Sequence, residues 1–335
     1  ASSLSIHEAF ATAGDAITEL PACRGFHDPN EAGLGRYGGY LMGLDCFDAS
    51  SFGVPPAEAA AMDPQQRLVL EIGYMALHSA GQTRGSLRGA ECGTFVGIEH
   101  LDWQLLQVLR TSTSVLQREG AFAASGEQSH VAAGRLAFVI DLHGPAASIN
   151  TACSSALVSV HHGASSMRVG ECSSALAASV KVMLLRFGAD GSILARDGRS
   201  KSFDARGDGY GRSEAVAAVW LDLGQNGSTV LAGCGVQASG RGASLSAPNG
   251  KAQSDLMRLV LARSSLSAAE VACVQPQGLG SALADPTEMR ACAVALGVQR
   301  ASHLAVGCHK ANAGHSEAPS GLISLLAAFH VVNNR

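Results

Sequence analysis

Short apolar runs separated by Gly, Asp, Asn and Pro punctuate this chain, and stretches with strand-like runs alternate with stretches of helical periodicity. That alternation predicts an α/β layered fold. The best strand candidates are Thr94–Ile98, Ala146–Ile149, Ala215–Leu221, Thr229–Val236 and Leu304–Gly307. Capping chemistry marks two helices. Asp63 before Pro64 reads as an N-cap followed by proline at the first helical position, with Leu68, Ile72 and Met75 on one face and Gly81 as the stop. Asp285, Pro286 and Glu288 repeat the arrangement ahead of Met289, Cys292 and Leu296, and Gly297 closes it.

A third helix is predicted over Ser154–Met167, with Leu157, Val160, Ala164 and Met167 sharing a face. Turn residues at Gly224-Gln225-Asn226-Gly227-Ser228 separate two strand-like runs, which divides the chain into halves 1–228 and 229–335. No repeat of about 20 to 50 residues interrupts this picture.

Composition narrows the function classes. With 335 residues, 47% of them hydrophobic and 16% charged, the chain can bury a large core and is not disordered. A net charge of −4 with no basic run points away from nucleic acid and from anionic membrane surfaces. No uncharged stretch reaches the ~18 residues a membrane span needs. Nine cysteines without a C-x-x-C pair fit a reducing, cytoplasmic setting, in which most are expected to be small buried hydrophobes. The start at Ala1 has neither the basic nor the apolar region of a signal peptide, and it lacks an initiator methionine, so excision from a longer chain is expected.

Cys153 is the candidate nucleophile. It stands after a short strand and at the start of the Ser154–Met167 helix, where free amides and the dipole are expected to lower a thiol's pKa and to hold an oxyanion. Such a placement suits covalent acyl-thioester chemistry. His161 and His162 inside that helix read as packing residues, Cys308, His309 and His315 match no zinc spacing, and Gly209-Tyr210-Gly211 lacks the rest of a nucleotide fingerprint.

Several segments carry a family resemblance. Asn150–Val158 reads N-T-A-C-S-S-A-L-V, Gly38–Asp48 is followed by M-D-P-Q-Q-R-L at Met62–Leu68, and Asp197–Asp204 is followed by D-G-Y-G-R-S-E-A at Asp208–Ala215. Lys310-Ala311-Asn312-Ala313-Gly314-His315-Ser316-Glu317 completes the set. In order and spacing these resemble the β-ketoacyl synthases, the condensing domains of fatty-acid and polyketide synthases.

The resemblance implies a thiolase-like αβαβα fold of two similar halves, here incomplete at both ends. It further implies Cys153 as acyl acceptor, His315 as the histidine that binds and decarboxylates a malonyl extender, and Lys310 and Glu317 as its electrostatic support. No cofactor is expected in the domain; the substrate is a phosphopantetheine-linked acyl thioester. Acyl carrier protein, acyl and malonyl thioesters and a second copy of the chain, paired through Ala146–Ile149, are the implied partners.

One segment departs from that pattern. Gln275–Glu288 reads Q-P-Q-G-L-G-S-A-L-A-D-P-T-E, so Gln277 occupies the place of the family's other histidine, Leu279 its first threonine and Ser281 its second. Glutamine donates a hydrogen bond but exchanges no proton near pH 7. Gln277, Ser281 and Asn312 are the expected substrate-binding residues. The resulting expectation is an acyltransferase that loads Cys153 and elongates weakly or not at all, with a non-catalytic dimer scaffold and a still-condensing enzyme as alternatives.

Overall fold

The computed structural model describes residues 14–24, 36–99, 102–111, 122–185, 193–224, 229–297, 300 and 302–333. Strands β1 (Ile17–Glu19) and β2 (Tyr37–Gly39) pair antiparallel near the start. Helix α1 (Pro64–Ser79), strand β3 (Cys92–Ile98), helix α2 (Val131–Ile140), strand β4 (Ala146–Ile149), helix α3 (Ser155–Arg168) and strands β5 (Ser174–Lys181) and β6 (Ala215–Asp222) follow. The later part holds helix α4 (Gly250–Ser264), β7 (Cys273–Val274), α5 (Ala284–Leu296), β8 (Ala305–Val306), α6 (Lys310–Ala313) and α7 (Ser320–Asn333).

The central sheet runs β4-β3-β5-β6, parallel except for the antiparallel pairing of β5 with β6. Every residue of β3 and β5 is buried, as expected of parallel strands covered on both faces. Alternation along β5 sorts the core. Leu176, Ala178 and Val180 join Val69, Leu70 and Leu77 of α1 and Leu136 of α2 on one face. On the other face Ala177 packs with Ala156 and Val160 of α3 and with Leu322 and Ile323 of α7, while Ala175 packs with Phe95 and Met167. The layer order is therefore α1 and α2, sheet, α3, α7, which puts the N-terminus of α3 deep between the sheet and the last helix.

Several expectations need correction. Asp63 does cap α1, accepting from the Gln65 amide at 2.7 Å. The buried stripe, however, is Gln65, Gln66, Val69, Leu70, Gly73 and Leu77, while Met75 is 60% exposed. The two glutamines enter the core because they have partners there: the Gln66 amide donates to the carbonyls of Ser125, Gly126 and Gln128. On α3, Leu157 is exposed and the helix is buried on most of its remaining surface.

Residues 229–236 form no strand, for they lie against α4 with no strand beside them among the described residues. Leu304–Gly307 contributes only the two residues of β8. At α5 the carboxylates cap the preceding loop and not their own helix: Asp285 accepts from the amides of Phe203, Gly280 and Ser281, and Glu288 from those of Gln277 and Gly278. Residues 225–228, the expected division between halves, lie outside the described residues. Among the eight cysteines with described side chains only Cys92, Cys172 and Cys292 are buried, because most of the others sit in loops or short strands at the edge of the core.

Candidate active site

The chain enters the site from β4 and turns sharply through Asn150–Ser154. Ala152 takes the left-handed conformation at φ 51°, a cost that local hydrogen bonds offset. The Asn150 side chain accepts from the Ala152 amide, and Ser155 accepts from the Thr151 amide while donating to the Ala152 carbonyl. Cys153 is thereby fixed, half-buried, one residue ahead of the capping position of α3.

The opposing wall comes from the segment after α6. Gly314 at φ +77° turns the chain back, with its amide bonded to the Lys310 carbonyl. His315 then joins the loop ahead of β6: its amide donates to the Gly211 carbonyl and its carbonyl accepts from the Ser213 amide. Its ring is fully buried, meets Tyr210 edge-on at 4.9 Å between centroids, and holds Nε2 3.2 Å from the Sγ of Cys153. Two further bonds tie the walls together. Ser320 donates to the Cys153 carbonyl, and the Ala156 amide donates to the Ala318 carbonyl.

Behind His315 lies an ionic layer in which Glu317, named from the sequence as its electrostatic support, meets two cations that sequence reasoning missed. Glu317, at φ 52°, places one carboxylate oxygen 2.6 Å from Lys181 Nζ and 3.3 Å from Arg212 Nε. Lys181 is the last residue of β5, and in the sequence it reads as the polar end of an apolar strand. The only signal available was Arg212 and Glu317 falling inside matched segments, with no indication that a lysine joins them. Lys310 is 1% exposed, and burial lowers its pKa against the opposing charges of Cys308, Glu288 and Cys153.

Electrostatics set the resting protonation. Burial, then the charge of Lys310, pushes His315 down to about 3, so its ring is neutral. Burial first, then Glu99 and Glu317, raises the Cys153 thiol, with Lys181 pulling in the opposite direction. The expectation that the helix end lowers this thiol's pKa is thus reversed, because desolvation and then two carboxylates act to raise it. Burial also pushes Tyr210 up to about 12, leaving a neutral phenol beside the imidazole.

The structure brings Cys153, His315 and the charge of Lys310 together and places the other expected residues one step away. Gln277 is half-buried, its amide held by Glu288 at 2.6 Å and its carbonyl 3.8 Å from the Cys308 sulfur, two residues before Lys310. Ser281 uses its hydroxyl to accept from the Ala284 amide at the start of α5. Asn312 reaches the Gly14 carbonyl and so faces the early segment. His161 lies 3.3 Å from the Cys234 sulfur and His162 stacks on Phe95, away from Cys153. Among the described residues no group of three His, Cys, Asp or Glu could hold a metal ion, and no helix is long and apolar enough to cross a membrane.

Comparison with known proteins follows the same outline. The family description "Beta-ketoacyl synthase, N-terminal domain" matches residues 5–226, and "Beta-ketoacyl synthase, C-terminal domain" matches residues 228–335. Erythronolide synthase EryA3 of Saccharopolyspora erythraea is 37% identical over 93% of this chain and 10% of its own length. The phenolphthiocerol synthesis polyketide synthase type I Pks15/1 of Mycobacterium marinum is 39% identical over 93% of this chain and 16% of its own. The chain therefore spans only a small part of these relatives. Among solved structures, the oxazolomycin ketosynthase domain OzmH KS7 of Streptomyces albus JA3453 superposes with a TM-score of 0.85 at 29% identity, covering 96% of this chain and 59% of that one. The ketosynthase from module 6 of the bacillaene synthase of Bacillus subtilis 168 gives 0.83 at 26%, covering 98% and 58%.

Proposed function

Because the chain belongs to the β-ketoacyl synthase family and has the thiolase-like fold of ketosynthase domains, we propose that it is an acyltransferase unit of a polyketide synthase that loads an acyl chain onto Cys153. The observation that carries this reading is the 3.2 Å approach of His315 Nε2 to Cys153 Sγ. A neutral imidazole facing a thiol is a base within reach of the proton it must take. The substrate is an acyl thioester on the phosphopantetheine arm of an acyl carrier protein, and the domain itself uses no bound cofactor.

The thiol passes its proton to His315 Nε2 as sulfur attacks the thioester carbonyl. The tetrahedral adduct then expels the carrier's thiolate, which takes the proton back, leaving Cys153 acylated and the carrier thiol free. Lys310 adds positive charge beside both groups.

Condensation is weak or lost in this reading, since Gln277 supplies a donor without a titratable proton where the family has a second histidine. Halves 1–228 and 229–335 act as one unit, one supplying Cys153 and the other His315. Pairing of two copies through β4 is supported by its place at the edge of the central sheet.

Intact-protein mass spectrometry with an acyl thioester and a malonyl-loaded carrier protein tests the reading, with Cys153→Ala as control. An adduct on Cys153 without ketide product is the expected outcome. Ketide formation would make the chain a working condensing enzyme, and absence of any adduct on folded protein would favour a scaffold.

A further inference from the structure

Lys181 is fully buried at the end of β5, and the position brings it to the back of the nucleophile's partner. A buried ammonium is retained only where a charge compensates it, and here Glu317 does so at 2.6 Å. Arg212 shares the same carboxylate oxygen at 3.3 Å, so two cations clamp one carboxylate. That carboxylate belongs to a residue in the left-handed conformation, two positions beyond His315. A non-glycine residue holds such a backbone only where its surroundings over-determine it. Arg212 sits between Gly211 and Ser213, the residues whose backbone brackets His315. The clamp and the histidine are therefore parts of one rigid unit.

We propose that Lys181 is a positioning residue of this site: it fixes Glu317, and through it the His315 ring, and it supplies a positive charge that favours the Cys153 thiolate. The proposal rests on Cys153 being the nucleophile. Charged and titratable groups acting on the pair are Glu99 from the end of β3, Glu317, Lys181, Lys310, His309 and, beside the imidazole, Tyr210 and Arg212. Of those acting on the thiol, Glu99 and Glu317 oppose the thiolate and Lys181 favours it. Burial holds the Lys181 ammonium down to about 8, and Glu317 opposes that fall.

The test is the pH dependence of Cys153 alkylation by iodoacetamide, followed by peptide mass spectrometry with the other cysteines as internal references. Lys181→Met is expected to slow alkylation about tenfold at pH 7.5, where the wild-type lysine is charged, and to leave the rate unchanged well above pH 8, where that lysine is itself neutral, while Lys181→Arg keeps the wild-type rate at pH 7.5. A merely structural loosening would change the rate at every pH. A wild-type rate at pH 7.5 in folded Lys181→Met overturns the proposal. Where that variant does not fold, Lys181→Arg decides: a guanidinium keeps its charge above the lysine's titration near pH 8, so alkylation there must be faster than in wild type, and an equal or slower rate overturns the proposal. Because alkylation needs no acyl donor, failure here leaves acylation of the wild-type chain by a thioester as a separate result.

Discussion

The Nε2 of His315 stands 3.2 Å from the Sγ of Cys153 across 162 residues of sequence, and both groups rest in their neutral forms. Burial drives the imidazole's pKa down and the thiol's up, so the proton rests on sulfur. The pair is a thiol facing a neutral imidazole, not a preformed ion pair. His315→Ala should therefore slow acylation of Cys153 by a thioester on the order of 10²-fold or more, the usual worth of a placed general base. Stopped-quench mass spectrometry gives the rate; equal rates in the two proteins would remove His315 from the acyl-transfer step.

Gln277 sits on a backbone held in place, since its amide and that of Gly278 are both gripped by Glu288. Gln277→His alters only the donor. It is expected to raise decarboxylation of a malonyl thioester by about 10² to 10³, the value of one well-placed electrostatic donor. Carbon dioxide release measures this, and an unchanged rate would show that Gln277 is not what limits elongation.

Legibility in the sequence divides along physical lines. Ala146–Ile149, the turn and α3 were readable because strand, small residues and helix each leave a local pattern, and the Asp63-Pro64 cap is local as well. Polar residues that satisfy distant partners were not readable. Gln65 and Gln66 look like a solvated face, yet Gln66 closes the loop at residues 125–128. Asp285 and Glu288 look like caps of their own helix but hold the Gln277–Ser281 loop. Lys181 meets Glu317 only after β5 has been laid beside β6 and the chain has returned from α6. Thr229–Val236 has the composition of a strand, but no neighbouring strand lies beside it among the described residues.

Buried histidines make the fold sensitive to acid. His309, 4% exposed with Nδ1 3.2 Å from the Ser324 hydroxyl, is pushed by burial and then by Lys310 down to about 3, as His315 is. Both pKa values are depressed on folding, so their contribution is complete above the unfolded value of 6.5 and is lost as pH falls toward 3. The slope in that window is at most about 1.4 kcal/mol per pH unit for each group. Asp63 acts with the opposite sign: burial raises it to about 6, so its contribution is complete below 3.8 and is lost as pH rises through 6. Glu71 and Glu214, raised by burial, share the sign of Asp63, and His161, lowered by burial, shares that of the two histidines; His309 and His315, depressed to about 3, make the loss on acidification the expected net result. Urea unfolding from pH 7.5 to 4 should show it, and His309→Asn should flatten the curve; an equal slope in the variant would acquit His309.

The start of α3 rests on Gly97, and that contact offers the sharpest link between packing and chemistry. A Cβ at Gly97 would come 2.9 Å from the Ser155 carbonyl carbon, 3.0 Å from the Ala156 amide nitrogen and 2.8 Å from the Ser179 hydroxyl, which already donates to the Gly97 carbonyl. Backbone on one side and a paired hydroxyl on the other leave the methyl of Gly97→Ala no room, so α3 must lift at its N-terminus. Overpacking of this kind costs about 1–3 kcal/mol. The displacement also carries Cys153 away from His315, and misplacement of about 1 Å can cost ~10² in rate. Gly163→Ala is the control, because its Cβ would meet the Ala175 and Leu221 side chains at 3.1 and 3.3 Å, well down the same helix. Both variants should melt earlier than wild type, but only Gly97→Ala should lose acylation of Cys153 beyond tenfold. Equal loss in the two would mean that general destabilisation, not the seat of the nucleophile, governs the rate.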